Sequence, residues 1–181
     1  MRAFIAVPIS DESKERIAAL IPKLAGGNFN IVYKENFHLT LKFLGEIDDR
    51  QLESVKSVLS GFSKNEKRFE AELQSVGVFP NPSYIKVIWV GLSPDKEYAA
   101  FAKRLDERLS SISFKKEKSY IPHMTFARVK SVSEKDKLRE FIDAHANDTF
   151  GRASVDRVIL MKSELQPGGP VYTELASYPL A

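Results

Sequence analysis

A tripeptide that occurs twice constrains this chain more than anything else in it. His38-Leu39-Thr40 and His123-Met124-Thr125 each place a threonine two residues after a histidine, in a chain that has three histidines in all. The motifs lie 85 residues apart (123 minus 38) in a chain of 181, close to half its length. On a β-strand, residues i and i+2 share a face. Each histidine therefore projects beside its threonine, while Leu39 and Met124 turn the other way, toward a core. Two such strands facing each other would bracket a small tetrahedral anion with two imidazoles and two hydroxyls.

The hydrophobic pattern around the motifs predicts the supporting elements. Strands are expected over Arg2–Val7, Asn30–Lys34, His38–Leu44, Phe69–Phe79, Tyr84–Leu92, Pro122–Val129, Ala153–Leu165 and Tyr172–Tyr178. Helices are expected over Asp11–Leu24, Asp48–Phe62, Pro94–Ile112 and Ser133–Ala146. Pro22 interrupts the first helix. Asp48 or Asp49 caps the second. Ser93 and Pro94 open the third, and Ser133 caps the fourth. The order of elements suggests two similar halves, with no Gly-, Ser- or Pro-rich linker between them. These features predict an α+β protein in which residues 1–181 form a single bilobal domain. Its two pseudo-symmetric lobes face a central cleft with their antiparallel sheets and carry helices on the outside.

The chemistry follows from the residue types. An imidazole changes charge near neutrality, so at neutral pH one histidine is expected to be neutral and take a proton while its partner is charged and gives one. That pair suits in-line attack on a phosphodiester and needs no metal or other cofactor. Lys42 has the strand parity of His38 and Thr40 and reads either as a residue that helps attract phosphate or as the exposed edge of the strand. Arg128 offers a bidentate phosphate ligand, but on an ideal strand it falls on the face opposite His123, so the strand must bulge before it can serve. His145, near a helix end, reads as structural or solvated. Among nearby aromatics, Phe37 and Phe43 read as core, whereas Tyr33, Phe79 and Tyr120 are open to base stacking. The basic runs Lys64–Arg68 and Lys115–Lys118 read as solvated loops that would steer a polynucleotide if they flank the cleft.

Other chemistries fit poorly. Two histidines with neither a HExxH motif nor acidic neighbours make a poor zinc set. No G-x-S-x-G elbow and no Gly-rich phosphate loop is present. The chain has no cysteine, which excludes disulfides and fits a reducing cytoplasm. A formal charge of +3 permits a nucleic-acid partner without arguing for one. The opening Met1–Pro8 is too short an apolar run for a signal peptide, and acidic residues follow at once. Nothing suggests a coiled coil, so a monomer is expected.

The segments Phe37-His38-Leu39-Thr40-Leu41-Lys42-Phe43-Leu44-Gly45-Glu46 and Pro122-His123-Met124-Thr125-Phe126-Ala127-Arg128 resemble the paired motifs of the two-histidine phosphoesterases. Within that superfamily the chain is most similar to the RNA 2',3'-cyclic phosphodiesterases, also called 2'-5' RNA ligases. Arg2–Val7 and Tyr172–Leu175 share the likeness, and only Phe126, where leucine is commoner, departs from it. The resemblance implies hydrolysis of RNA 2',3'-cyclic phosphate ends to 2'-phosphomonoesters, with RNA ends or cyclic nucleotides as partners. It implies His38 as proton donor to the departing 3' oxygen and His123 as proton acceptor from water. Thr40 and Thr125 would hold phosphate oxygens, and Arg128 would bind phosphate. Two alternatives stand beside it: 2'-5' ligation at the same site, with an alcohol in place of water, and an RNA-end binding module without turnover.

Overall fold

The computed structural model describes residues Met1–Ala181. Nine strands and four helices follow one another as β1 (Arg2–Pro8), α1 (Asp11–Ala18), β2 (Gly27–Ile31), β3 (His38–Glu46), α2 (Asp49–Ser63), β4 (Phe69–Asn81), β5 (Tyr84–Ser93), α3 (Asp95–Ser110), β6 (His123–Val132), α4 (Lys135–Ala144), β7 (Thr149–Val155), β8 (Arg157–Gln166) and β9 (Gly169–Pro179). Two antiparallel sheets result, in the orders β3-β1-β8-β9 and β2-β6-β5-β4-β7. The α+β, two-lobed architecture expected from the sequence is the one observed. No helix is long and apolar enough to cross a membrane.

The lobes, however, are not the two halves of the chain. The first half gives β1 and β3 to one sheet, then sends β4 to lie beside β5 in the other. The second half gives β5 and β6 to that other sheet and returns β8 to lie beside β1. Each half thus builds one motif-bearing strand, β3 at the edge of its sheet and β6 between β2 and β5, and adds a strand to its partner's sheet. The expected strand Ala153–Leu165 is accordingly two strands, β7 and β8, and the chain changes sheets between them at Asp156.

Local chemistry sets the helix ends. Asp48 accepts from the Gln51 backbone N–H at 2.7 Å, while the Gln51 side chain accepts from the Asp48 N–H at 3.1 Å, a complete capping box. α1 stops at Ala18, and Pro22 lies in a separate 3-10 turn, Ile21–Lys23. Pro94 stands one place before the helix rather than inside it, and Glu134 rather than Ser133 precedes α4. β2 falls three residues earlier than expected, where it can pair along β6.

One core cluster of 36 buried residues joins both sheets to the helices. It includes Leu39 and Met124, the middle residues of the two motifs. Phe4, Ala6 and Ile159 form a separate small cluster, packed by Met161 and Tyr172, on the opposite face of the first sheet. That face also carries His38 and Thr40, which pair in register with Pro8 and Ala6.

Candidate active site

His38 and His123 each begin a strand, and β3 and β6 lie against one another. Their surroundings match closely. The Nδ1 of His38 lies 2.6 Å from the Asn36 carbonyl oxygen, and the Nδ1 of His123 lies 2.8 Å from the Ile121 carbonyl oxygen. A carbonyl only accepts, so each Nδ1 carries the proton and donates. The Nε2 of each ring is left with a lone pair when the ring is neutral. The protein thus fixes one tautomer at both sites with the same contact, from the residue two places before the histidine.

Aromatic rings clamp both imidazoles. Phe4 stacks on His38 at 4.8 Å between centroids, and Tyr172 meets it edge-on at 5.4 Å. Phe79 meets His123 edge-on at 4.9 Å, with Trp89 at 6.1 Å. Trp89 lies over Gly77, where an added Cβ would fall 2.2 Å from the indole, so only glycine leaves room for it. These rings exclude water and disfavour the charged imidazole. Burial pushes His38 down to about 4, against a smaller upward effect of the hydrogen bond to Asn36. Burial also lowers His123, opposed by the Ile121 carbonyl and aided by the nearby Arg128 charge. In the free protein at neutral pH both imidazoles are therefore disposed to be neutral, rather than one neutral and one charged as expected from the sequence.

A bulge in each motif strand decides what else reaches the site. In β3 the register with β1 slips so that Ala6 faces Thr40 but Ile5 faces Lys42. In β6 the register with β5 slips so that Trp89 faces Thr125 but Ile88 faces Ala127. The burial patterns match as a result: His, Thr and then the residue five after the histidine lie on the open face, and the bulged pair turns inward. Arg128 is therefore exposed on the same face as His123 and Thr125. It makes no ion pair with any carboxylate. Its charge opposes protonation of His123 in one sheet and favours ionisation of Tyr172 in the other, so it bears on both sides of the cleft.

The same slip overturns two expectations about β3. Lys42 is not on the His38 face. It is 4% exposed, and its Nζ donates to Asp106 at 2.7 Å, to Glu117 at 3.0 Å and to the Lys115 carbonyl. Its ammonium is fully engaged within the fold, so the expected phosphate-binding role is not supported. Phe43, expected in the core, is 64% exposed at the position in β3 that Arg128 holds in β6. Phe37 is buried as expected, and Tyr33 is exposed. His145 pairs with Asp148 at 2.5 Å, away from both motifs.

Sequence reasoning missed several supporting residues. Tyr98 and Tyr120 donate to the Leu39 and Thr40 carbonyls at 3.3 and 2.6 Å, bracing the backbone of the first motif. Burial raises both phenols, so they stay protonated donors. Phe4, Trp89 and Tyr172 carry no motif of their own, because only the sheet register brings them to the histidines. A cavity of about 610 Å³ lies elsewhere and contains neither motif. Its lining is acidic and basic residues in near balance, and the paired histidines are the better-supported site. No group of three His, Cys, Asp or Glu side chains is placed to hold a metal ion.

Two interlocked lobes, each presenting a tautomer-fixed histidine and its threonine on facing strands, define a phosphoesterase of the two-histidine type. The model of the LigT-like phosphoesterases matches residues 7–89 and again residues 90–172, one copy for each motif. The chain belongs to that family. It is 37% identical over 172 residues to the RNA 2',3'-cyclic phosphodiesterase of Methanocaldococcus jannaschii, covering 95% of this chain and 96% of that one. It is 34% identical to the protein of the same name from Methanothermobacter thermautotrophicus, covering 99% of each. A crystal structure of a Thermus thermophilus protein superposes with a TM-score of 0.82 at 27% identity, over 99% of this chain and 98% of that one. Escherichia coli LigT complexed with 3'-AMP shares the fold, with a TM-score of 0.77 at 22% identity, over 99% and 97%. The chain is thus an enzyme of the cyclic phosphodiesterase class.

Proposed function

We propose that this enzyme hydrolyses RNA 2',3'-cyclic phosphate ends to 2'-phosphomonoesters by general acid–base catalysis without a metal. The observation that carries the reading is the matched pair of imidazoles, each holding a free Nε2 beside a threonine on facing strands. His123 Nε2 takes a proton from water as the water oxygen attacks phosphorus. The P–O3' bond breaks, and protonated His38 gives its Nε2 proton to the departing 3' oxygen. Thr40 and Thr125 donate hydrogen bonds to the non-bridging oxygens, and Arg128 neutralises charge that builds on them. The division of roles between the histidines rests on the family likeness.

The test uses a 2',3'-cyclic nucleotide. His38→Ala and His123→Ala should each lower kcat by about 10²–10⁴, the usual worth of a general acid or base, with circular dichroism unchanged. EDTA should leave the rate unaltered. Full activity in either variant, or a 3'-phosphate product, refutes the reading. Joined RNA products in a mixture of 2',3'-cyclic and 5'-hydroxyl ends would favour ligation instead.

A further inference from the structure

We infer that a groove beside the cleft binds the RNA strand that precedes the terminal nucleotide, which makes an oligoribonucleotide the preferred substrate. The inference rests on the proposed hydrolysis of RNA ends and specifies its substrate. The groove, about 420 Å³, is lined by Phe43, Phe114, Lys115, Lys116, Lys118 and Ser119, among others.

Three observations converge on it. First, Phe43 is an aromatic side chain held in solvent by the bulge in β3, on the face that carries His38 and Thr40. Its ring lies 6.2 Å from buried Phe4, which itself stacks on His38, so the aromatic packing around the histidine extends to the groove. Strand rise separates the Phe43 and His38 backbones by about 15 Å, and the contacts through Phe4 hold the two rings within about 11 Å, which puts Phe43 at the outer edge of the terminal nucleoside, where the preceding strand begins. Second, Lys115, Lys116 and Lys118 are exposed, and none of their ammonium groups forms an ion pair. Unpaired lysines beside an exposed ring, here Phe43, are the combination that holds single-stranded nucleic acid through its phosphates and base faces. Third, the segment carrying these lysines is fixed from beneath. Buried Lys42 ties the Lys115 carbonyl and Glu117 to Asp106, and Asp106 also accepts from the Glu117 N–H at 2.9 Å. The Lys42 that the motif suggested as a phosphate ligand instead holds the platform on which other lysines meet phosphate.

The groove also breaks the symmetry of the site. The two motifs alone would accept a phosphate in either of two orientations. With Arg128 at one mirror position and Phe43 at the other, the RNA strand lies on the His38 side and the phosphate oxygens on the Arg128 side. Both ester oxygens belong to the terminal ribose, so a ribose on the His38 side leaves the opposite, His123 side to the attacking water, in agreement with the proton-donor and proton-acceptor roles.

The test compares Phe43→Ala and the double variant K116E/K118E with the unaltered enzyme on two substrates, a 2',3'-cyclic mononucleotide and a short oligoribonucleotide with the same terminus. The oligoribonucleotide should have the higher kcat/KM, falling more steeply with added salt. Each variant should lose at least tenfold on the oligoribonucleotide and stay within twofold on the mononucleotide. Equal losses on both substrates would mean a structural effect and overturn the inference, as would unchanged oligoribonucleotide turnover. Fluorescence anisotropy of a labelled 2'-phosphate-ended oligoribonucleotide decides the matter independently of turnover. Binding weakened at least tenfold in both variants supports the groove even if hydrolysis itself fails, and unchanged binding removes it.

Discussion

The perturbation that tests the site most directly is an anion placed between the histidines. In the free protein burial holds His38 at about 4, so about one molecule in a thousand carries its proton at pH 7. Such a ring is a poor acid until something negative arrives. A singly charged phosphate about 4 Å from the imidazole, in an effective dielectric of about 20, favours the imidazolium by about 4 kcal/mol. That is about three pH units, enough to offset the burial and return His38 to near 7. The assay is a proton NMR titration of the imidazole C2–H resonances with and without saturating inorganic phosphate. The chain has only three histidines, and H38Q and H123Q each assign one by removing it. His38 should titrate near 4 alone and two to three units higher with phosphate. Kinetics should follow: the alkaline limb of kcat/KM, which reports the free enzyme, should fall below pH 6.5, and that of kcat, which reports the complex, should lie above it. A free-protein His38 that titrates at 6 or higher, or one that phosphate leaves unmoved, refutes the reasoning.

Two further outcomes concern stability. His38 is neutral in both folded and unfolded chains at pH 7. Below its unfolded value of 6.5 the unfolded chain binds a proton that the fold excludes until about pH 4. Stability should therefore fall as pH drops through that window, by up to about 3 kcal/mol from this group. Urea unfolding at pH 7 and 4.5 should show H38Q losing less than the unaltered protein, and equal losses would contradict it. Lys42→Ala strands Asp106, whose side chain is 13% exposed, without its ammonium partner. It should cost about 3–5 kcal/mol, most of which Lys42→Met with Asp106→Leu should restore; a cost below about 1 kcal/mol would show that the pair is not buried in solution.

The motifs and the elements that carry them were legible in the sequence because both depend on local periodicity. Period two placed His beside Thr, and the apolar stripes placed the helices within a few residues. What periodicity could not reveal was anything set by a partner strand. The bulges at Leu41–Lys42 and Phe126–Ala127 arise from pairing with β1 and β5, and no residue inside β3 or β6 announces them. Hence Lys42 and Phe43 each lie on the face opposite the one that strict alternation predicts, and Arg128 could be placed only on the condition that its strand bulged. Phe4, Trp89 and Tyr172 were invisible as partners of the histidines for a related reason, and Phe79, open to base stacking in the sequence, packs on His123 instead. These four rings come from four different strands and converge on the histidines only through sheet order.

The exchange of strands between the lobes explains how so symmetric a site can remain rigid. If each half folded alone, the two histidines would sit on separate bodies, and their separation would vary with the motion of a hinge. Here β4 continues the sheet that holds His123, and β8 continues the sheet that holds His38, each supplied by the opposite half. Tyr98 and Tyr120, from the second half, add direct ties to the first motif through the Leu39 and Thr40 carbonyls. An in-line displacement needs its acid and base on opposite sides of one phosphorus, and small misplacements there are costly. Interlocking makes the distance between the histidines a property of one packed core rather than of an interface. That leaves the two mirror positions, Arg128 and Phe43, free to differ in chemistry without disturbing the geometry of the pair.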